Sequence, residues 1–218
     1  MIKGVIFDFD GLILDTELHE YEVLQEIFQE HQCDLPLGKW AELVGTKSDF
    51  DPFVFMEEQV NKQLDHEALR KLRIERFDQR IASEKARPGV EAYLASAKAL
   101  GLKIGLASSS DFKWISTHLG NLGLLEHFEC IRTADDVEKV KPDPALYVQT
   151  AECLGLKPEE CLVFEDSANG ALAAKRAGMR CVIVPNQVTS GLSFCEVDHR
   201  LTSMEEMPLD ELIRFLRL

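Results

Sequence analysis

The feature that most restricts the fold of this chain is a series of short apolar runs that alternate with segments of helical spacing. The runs lie at residues 2–9, 103–107, 129–132, 161–164 and 181–184 of the 218 residues. Strands that alternate with helices favour a parallel sheet, because parallel neighbours need a crossover connection that is usually a helix. We therefore predict an α/β fold in which a doubly wound parallel sheet has helices on both faces.

The segment between the first two runs has a different character. Residues 15–32 and 65–82 carry apolar residues at helical spacing, and the stretch between them is interrupted by proline and glycine. No part of residues 15–86 has the pattern of a strong strand. We expect residues 15–86 to form an all-helical unit inserted into a core made of residues 1–14 and 87–218.

Charge and composition argue against several classes of function. A net charge of −14 disfavours non-specific binding to nucleic acid. No apolar stretch approaches the roughly 18 residues that a membrane span needs, and an acidic residue comes too early for a signal peptide. The six cysteines form no CxxC pair, so we expect reduced thiols rather than a zinc site. These features predict a cytoplasmic protein, a monomer or weak oligomer, without nucleic-acid or membrane partners.

Polar side chains follow four of the apolar runs, where the predicted strands end. They are Asp8 and Asp10 after the first run, Ser108 and Ser109 after the second, Lys141 beyond a loop after the third, and Glu165 and Asp166 after the fourth. The carboxyl ends of parallel strands meet at one edge of a sheet, and functional groups collect there. The sequence therefore places these side chains in one candidate site.

The acidic members of this set predict a divalent cation. Asp8 and Asp10 lie two positions apart near the start of the chain. Ionised carboxylates that crowd together repel one another unless a positive charge lies close by. With Glu165 and Asp166 they supply the oxygen ligands that suit Mg²⁺ or a similar divalent ion. We expect Mg²⁺ as the cofactor.

The remaining members predict a phosphate site. Ser108 and Ser109 stand close to a predicted helix start, where hydroxyl and main-chain N–H groups bind anions. Lys141 precedes Pro142, which favours an extended backbone and a fixed positive charge. Beside a cation, these groups describe a site for phosphoryl transfer. One carboxylate could act as the nucleophile and form an aspartyl-phosphate, while a second could act as general acid and base.

Four motifs, in this order along the chain, resemble those of one known family. They are Asp8-Phe9-Asp10-Gly11, Leu106-Ala107-Ser108, Lys141-Pro142-Asp143-Pro144 and Glu165-Asp166-Ser167-Ala168-Asn169-Gly170. The first alone would be a weak signal, but the ordered set is specific. The chain resembles hydrolases of the haloacid dehalogenase superfamily, in the β-phosphoglucomutase-like group, over essentially its whole length.

The resemblance implies a role for each acidic residue. Asp8 would be the nucleophile and a magnesium ligand. Asp10 would be the general acid and base, and its main-chain carbonyl would also bind the metal. Asp166 would be a carboxylate ligand, with Glu165 bound directly or through water. Two carboxylates close together in sequence would thus have different tasks.

The resemblance also implies the activity. Ser108 and Lys141 would hold the phosphoryl oxygens of a small phosphorylated metabolite, such as a sugar phosphate. The core would be Rossmann-like, and residues 15–86 would be a helical cap that closes over it and selects the leaving group. The expected protein is a magnesium-dependent phosphatase that acts on a phosphomonoester.

The cap leaves alternatives open. Phosphohexomutases of this group carry a histidine at the position that corresponds to Glu20 here, so the match to a mutase is incomplete. Lys47, Arg73 and Arg76 could nevertheless hold a second phosphate, which keeps a phosphohexomutase as the alternative. With Glu20, these residues are the candidate substrate contacts of the cap. A non-catalytic regulatory protein that retains the fold is a further alternative.

Overall fold

A computed structural model describes residues 1–46 and 49–216 of the chain. Within these residues six parallel strands form one sheet in the order β3-β2-β1-β4-β5-β6. The strands are β1 (Gly4–Phe7), β2 (Lys103–Ala107), β3 (Cys130–Arg132), β4 (Cys161–Glu165), β5 (Arg180–Ile183) and β6 (His199–Arg200). The prediction of a parallel sheet from alternating strands and helices is confirmed.

Nine α-helices accompany the sheet in the described part of the chain. They are α1 (Thr16–Glu30), α2 (Leu37–Ala41), α3 (Pro52–Val60), α4 (His66–Ile81), α5 (Val90–Ala99), α6 (Phe112–Leu122), α7 (Ala145–Cys153), α8 (Ala168–Arg176) and α9 (Leu209–Phe215). Several begin at a side-chain cap, as when the Asp15 carboxylate accepts a hydrogen bond from the Leu18 N–H at the start of α1. Such caps satisfy N–H groups that have no partner inside the helix.

The two faces of the sheet are covered by different helices. Along β1, Val5 and Phe7 belong to one apolar cluster and Ile6 belongs to another. The first cluster includes residues of α5, α6 and α9, and the second includes residues of α7 and α8. Because both faces are covered, every residue of β1 is buried, and the strand is a continuous apolar run rather than an alternating one.

The register brings the ends of the central strands to one level. β1 lies between β2 and β4, and Phe7 pairs with Leu106 on one side and with Phe164 on the other. Asp8 and Glu165 therefore leave the sheet at the same edge. The order of the strands changes direction at β1, and ligands of such sheets bind where the order reverses.

Helices α1 to α4 lie between β1 and β2, inside the predicted insertion. An isolated bridge pairs Leu14 with Ala86, and the N–H of Arg87 donates to the carbonyl of Ile13 at 2.8 Å. The segment that leaves the core thus runs beside the segment that returns to it. The division into a core and a cap at these residues stays a prediction.

The expectation of six free thiols is wrong for one pair. Cys130 on β3 and Cys153 at the end of α7 form a disulfide across 23 positions of sequence. A bridge over a loop of this length stabilises the fold by about 3 kcal/mol in chain-entropy terms. The other cysteines, Cys33, Cys161, Cys181 and Cys195, are free. The sequence carries no motif for this bond, because the two cysteines are far apart along the chain. They meet only where α7 packs against β3.

Nine α-helices lie within residues 1–46 and 49–216. None of them is both long enough and apolar enough to cross a bilayer.

Candidate active site

A buried ion-pair network occupies the edge of the sheet where β1 and β4 end. The Lys141 ammonium donates to Asp8 Oδ1 at 2.5 Å and to Glu165 Oε1 at 2.7 Å. Only 1% of the Lys141 side chain is exposed. The hydroxyl of Tyr147 on α7 donates to the same Glu165 oxygen at 2.6 Å. The structure therefore brings together three of the predicted site residues from three separate parts of the sequence.

This network contains more carboxylates than positively charged groups. Carboxylate oxygens of Asp8, Glu165 and Asp166 all lie within 4.8 Å of one another, with one ammonium between them. Burial, followed by the charge of Glu165, raises the pKa of Asp8 to about 8 despite the opposing effect of Lys141. Burial, followed by the charges of Glu165 and Asp8, holds the pKa of Asp166 well above its usual value. Burial alone would lower the pKa of Lys141, but the carboxylates of Asp8 and Glu165 raise it.

Asp166 supplies the clearest position for a cation. Its Oδ2 accepts a hydrogen bond from the Asn186 amide at 2.7 Å, whereas its Oδ1 is buried and has no hydrogen-bond partner within residues 1–46 and 49–216. A buried carboxylate oxygen without a partner is costly unless a cation binds it. Gly11, at a φ of +78°, makes this arrangement possible, because a Cβ there would lie 2.3 Å from Asp166 Oδ2. The donor set thus fits a hard divalent cation.

Glu165 is surrounded by hydrogen-bond donors. Lys141 and Tyr147 donate to its Oε1. Its Oε2 accepts from the N–H groups of Asp166 and Ser167 and from the Ser167 hydroxyl, at 3.1, 3.2 and 3.1 Å. A Cβ at Gly170 would lie 1.8 Å from Oε1, so α8 needs a glycine there for Glu165 to fit. Glu165 is thus placed to anchor Lys141, and little of its carboxylate is left for a metal ion.

Asp10 has a separate set of partners. Its Oδ1 accepts from the indole N–H of Trp114 at 2.9 Å. Its Oδ2 accepts from the hydroxyl of Ser110 at 2.6 Å and from that of Ser108 at 3.3 Å. The hydroxyl of Ser109 instead donates to the carbonyl of Gly45, at 3.0 Å. The carboxylate of Asp10 thus has hydrogen-bond partners that differ from those of Asp8, Glu165 and Asp166.

A cleft of about 550 Å³ opens above these residues, between the sheet edge and helices α1 and α4. Asp8, Asp10 and the three serines at 108–110 line it on the side of the core. Its other walls include Glu17 and Glu20 of α1, Arg73, Ile74, Phe77 and Asp78 of α4, and Trp114 of α6. Asp8 and Asp10 thus share one cleft with two of the candidate cap contacts, Glu20 and Arg73.

The four candidate cap contacts have different environments. Arg73 and Glu20 line the cleft and form an ion pair with each other. Arg76 is not among the residues of the cleft wall, and its guanidinium lies 2.8 Å from Glu30. Lys47 lies outside the described residues. The expected basic surface is therefore reduced, within the described wall, to Arg73, whose charge is offset by Glu20.

The wall formed by α1 is acidic. Burial, followed by the charges of Asp10 and Glu20, raises the pKa of Glu17 well above its usual value. Across the cleft, the rings of Phe77 and Trp114 stack with their centroids 5.9 Å apart. The distant part of the cleft thus combines carboxylate acceptors with an apolar surface.

The sequence patterns did not select four residues whose side chains contact the carboxylates of the site, Ser110, Trp114, Tyr147 and Asn186, nor three residues of the cleft wall, Glu17, Phe77 and Asp78. Asn186 follows β5 at the same sheet edge, so the rule that located Asp8 could have found it. Ser110 adjoins two serines that were selected. Tyr147 and Trp114 had no comparable signal, because each is an aromatic residue on a helix and such residues usually belong to the core.

Comparisons with known proteins identify relatives over almost the entire chain. A family model described as "Haloacid dehalogenase-like hydrolase" matches residues 5–184. The chain is 64% identical over 216 residues to "Putative phosphatase YhcW" of Bacillus subtilis, which covers 99% of this chain and 98% of that protein. It is 30% identical over 219 residues to hexitol phosphatase B of Escherichia coli K12, covering 97% of each.

A solved structure supports the same grouping. The crystal structure of a "putative beta-phosphoglucomutase" from Thermotoga maritima matches with a TM-score of 0.76 and 26% identity, over 98% of this chain and 99% of that one. These matches confirm the resemblance that the four motifs indicated. They also confirm the α/β class and the Rossmann-like core that it implied.

Proposed function

The chain belongs to the family of haloacid dehalogenase-like hydrolases, and we propose that it is a phosphatase of small sugar or polyol monophosphates. The observation that carries the proposal is the buried pairing of Lys141 with Asp8 and Glu165, in which Asp8 also lines the cleft. A fixed ammonium beside a carboxylate suits the transfer of a phosphoryl group to that carboxylate. Two relatives whose names include the word phosphatase support the same class of reaction.

Two carboxylates would divide the chemistry. An oxygen of Asp8 attacks the phosphorus atom, the bond to the ester oxygen breaks, and Asp10 gives a proton to the departing alkoxide. Asp10, now ionised, takes a proton from the water that attacks the aspartyl-phosphate, which releases inorganic phosphate and restores Asp8. Lys141 keeps its charge throughout and offsets the negative charge at Asp8 and on the phosphoryl group. Ser108 and Ser109, at the edge of the cleft, would bind phosphoryl oxygens.

Mg²⁺ is the proposed cofactor. Asp8 and Asp166 would hold it with the main-chain carbonyl of Asp10, and Glu165 would support the site through Lys141 and the main chain. The unpartnered Oδ1 of Asp166 and the shared burial of three carboxylates support this assignment. When bound, the cation supplies positive charge that stabilises the phosphoryl oxygens as charge develops on them.

The cleft walls favour a hydroxyl-rich leaving group. Glu20 and Asp78 offer carboxylate oxygens to hydroxyl donors, the carboxyl group of Glu17 can also form hydrogen bonds with hydroxyls, and Phe77 offers an apolar face to the carbon skeleton. A second phosphate would lie beside these carboxylates, which costs energy because like charges repel. The name of one relative, hexitol phosphatase B, supports a polyol monophosphate as the substrate.

A phosphohexomutase is the second candidate. It is favoured by the similarity to the structure from Thermotoga maritima and by the guanidinium of Arg73 in the cleft wall. It requires that a second phosphate replace Glu20 as the partner of Arg73. Glu20 also occupies the position where mutases of this group carry a histidine. These two features make the phosphatase the better-supported function.

A panel of phosphate esters separates the two functions. We expect release of inorganic phosphate from hexitol and hexose monophosphates, with kcat/KM at least about tenfold higher than for hexose bisphosphates, because a repulsion of only about 1.4 kcal/mol has that effect. Net conversion of a hexose 1-phosphate into a 6-phosphate in the presence of the bisphosphate would establish the mutase instead. Turnover of no ester in the panel, with Mg²⁺ present, would favour the non-catalytic alternative.

Metal binding can be measured without substrate. At a Mg²⁺ concentration about 100 times the dissociation constant, binding adds about 2.7 kcal/mol to the stability of the folded state. For a chain of this size we expect a rise in melting temperature of about 5 °C or more. Asp166→Asn should remove most of this rise, whereas the same change at Asp210, which pairs with Arg214 on α9, should preserve it. An equal rise in both variants would contradict the assignment.

A further inference from the structure

Trp114 holds Asp10 from the first turn of α6. The carboxylate of Asp111 caps this helix and accepts a hydrogen bond from the N–H of Trp114 at 2.8 Å. The main chain of Trp114 is therefore fixed at the start of α6, just beyond the loop that follows β2. From there its indole N–H reaches Asp10 Oδ1 at 2.9 Å. This hydrogen bond joins a helix of the core to the proposed general acid and base.

The indole ring is held between two other rings. Phe77 of α4 stacks on it, with centroids 5.9 Å apart and planes 25° apart. His118, one turn further along α6, packs against it with centroids 3.9 Å apart. Phe77 is 8% exposed, so the ring contact with α4 is almost closed to water. The direction of the indole N–H is thus set by contacts with α6 and α4 together.

The donors to Asp10 come from one continuous segment. Ser108 and Ser110 donate to Oδ2, and Trp114 donates to Oδ1. A carboxylate with donors on both oxygens has little freedom to rotate. Of the three, only Trp114 also contacts α4 through a stacked ring. It is therefore the donor whose position depends on the insertion that forms the far wall of the cleft.

We infer that Trp114 is a positioning residue that orients the carboxylate of Asp10 toward the oxygen of the leaving group. The inference rests on the proposed function, in which Asp10 protonates that oxygen. A general acid has to lie within hydrogen-bond reach of the atom that it protonates, and an error of about 1 Å costs on the order of 100-fold in rate. Loss of the indole N–H frees Oδ1 and removes this constraint.

The leaving group provides a readout specific to this role. An alkoxide leaves poorly unless it is protonated, whereas p-nitrophenolate leaves without help. A misplaced general acid therefore slows phosphoryl transfer from alkyl phosphates far more than from p-nitrophenyl phosphate. The ratio kcat/KM is the suitable quantity, because it reports the steps up to departure of the leaving group and not the later hydrolysis. A general loss of structure or of metal would lower kcat/KM for both substrates by a similar factor.

The test compares two variants with the same chemical change. Trp114→Phe removes the indole N–H and keeps a ring against Phe77. Trp40→Phe is the matched control, because the indole nitrogen of Trp40 is buried and has no hydrogen-bond partner among the residues that the structure describes. A second version replaces Trp114 by 3-benzothienylalanine, which keeps the bicyclic shape and has sulfur in place of N–H. Melting temperatures and kcat/KM for a hexitol phosphate and for p-nitrophenyl phosphate are measured for each.

We expect Trp114→Phe to lower kcat/KM about 10- to 100-fold for the hexitol phosphate and less than about threefold for p-nitrophenyl phosphate, as part of the 10²- to 10⁴-fold contribution of general acid catalysis. The benzothienyl variant should show the same difference even if the phenylalanine variant does not fold. Trp40→Phe should change kcat/KM by less than about twofold for either substrate. The inference would be overturned if kcat/KM fell equally for the two substrates, or if the benzothienyl variant showed no fall in kcat/KM. A wild-type protein that released phosphate from neither ester would instead refute the proposed function.

Discussion

Asp8→Asn is expected to reduce phosphate release by about 10⁴-fold or more, the range observed when a catalytic nucleophile is removed. The amide cannot form the aspartyl-phosphate, so the reaction loses its first step. The same change removes one of three crowded carboxylates, while Lys141 keeps its contact with Glu165 at 2.7 Å. We therefore expect a folded variant whose melting temperature is not lower than that of the wild type. The measurement is kcat on a hexitol monophosphate with Mg²⁺, alongside a thermal melt.

The control for this variant is Asp210→Asn on α9. Asp210 lies far along the chain from the site and keeps 45% of its side chain exposed. Its variant should retain full activity. Phosphate release by Asp8→Asn within about tenfold of the wild type would contradict the assignment of Asp8, provided that the protein sample is free of deamidated aspartate.

Lys141→Met is expected to cost both activity and stability. It leaves Asp8, Glu165 and Asp166 buried together without the ammonium that offsets them. Removal of one partner from a buried ion pair typically costs about 3–5 kcal/mol, which corresponds to roughly 10 °C in melting temperature for a chain of this size. Differential scanning calorimetry measures this loss directly, and a phosphate-release assay on the same sample measures the loss of activity.

Lys139→Met offers a matched comparison two residues away. Lys139 is exposed on the surface, and loss of an exposed lysine usually changes stability by less than about 0.5 kcal/mol. If the two lysine variants melted within about 2 °C of each other, the buried network would not have the energetic role assigned to it here.

The strand-end residues could be located from the sequence because a parallel sheet aligns them. Each apolar run predicts a strand, and parallel pairing places the residue that follows it at the same edge. Asp8 and Glu165 meet in this way although 157 positions separate them along the chain, counted from their residue numbers. The requirement for positive charge near them follows from their chemistry alone. The sequence could therefore predict both the fold class and the floor of the site.

The remaining features depend on contacts through space that no local pattern encodes. The sequence offers Arg76 as a candidate substrate contact of the cap, but in the structure its guanidinium pairs with Glu30 across the interface of α1 and α4. Arg73 faces the cleft, where Glu20 already offsets its charge. The direction of a side chain on a helix changes by about 100° per residue. A small difference in how two helices pack therefore decides whether a charged side chain faces the substrate or a neighbouring helix.

The disulfide and Trp114 illustrate the same limit. Cys130 and Cys153 meet because α7 packs against β3, and their spacing in sequence has no recognisable pattern. Trp114 contacts Asp10 from a helix whose other residues, such as Ile115 and Leu119, are ordinary members of the core. In both cases the chemistry depends on which face of an element turns toward a neighbour, and that is determined by packing.

If Asp8 accepts the phosphoryl group, the aspartyl-phosphate can be trapped during turnover. The protein is mixed with a hexitol monophosphate and Mg²⁺, quenched in acid during turnover, and digested for mass spectrometry. We predict one added phosphoryl group on the peptide that contains Asp8, formed at least as fast as phosphate is released, and absent from Asp8→Asn. Release of inorganic phosphate at full rate with no phosphoryl group on Asp8, or with the group on another residue, would contradict the account.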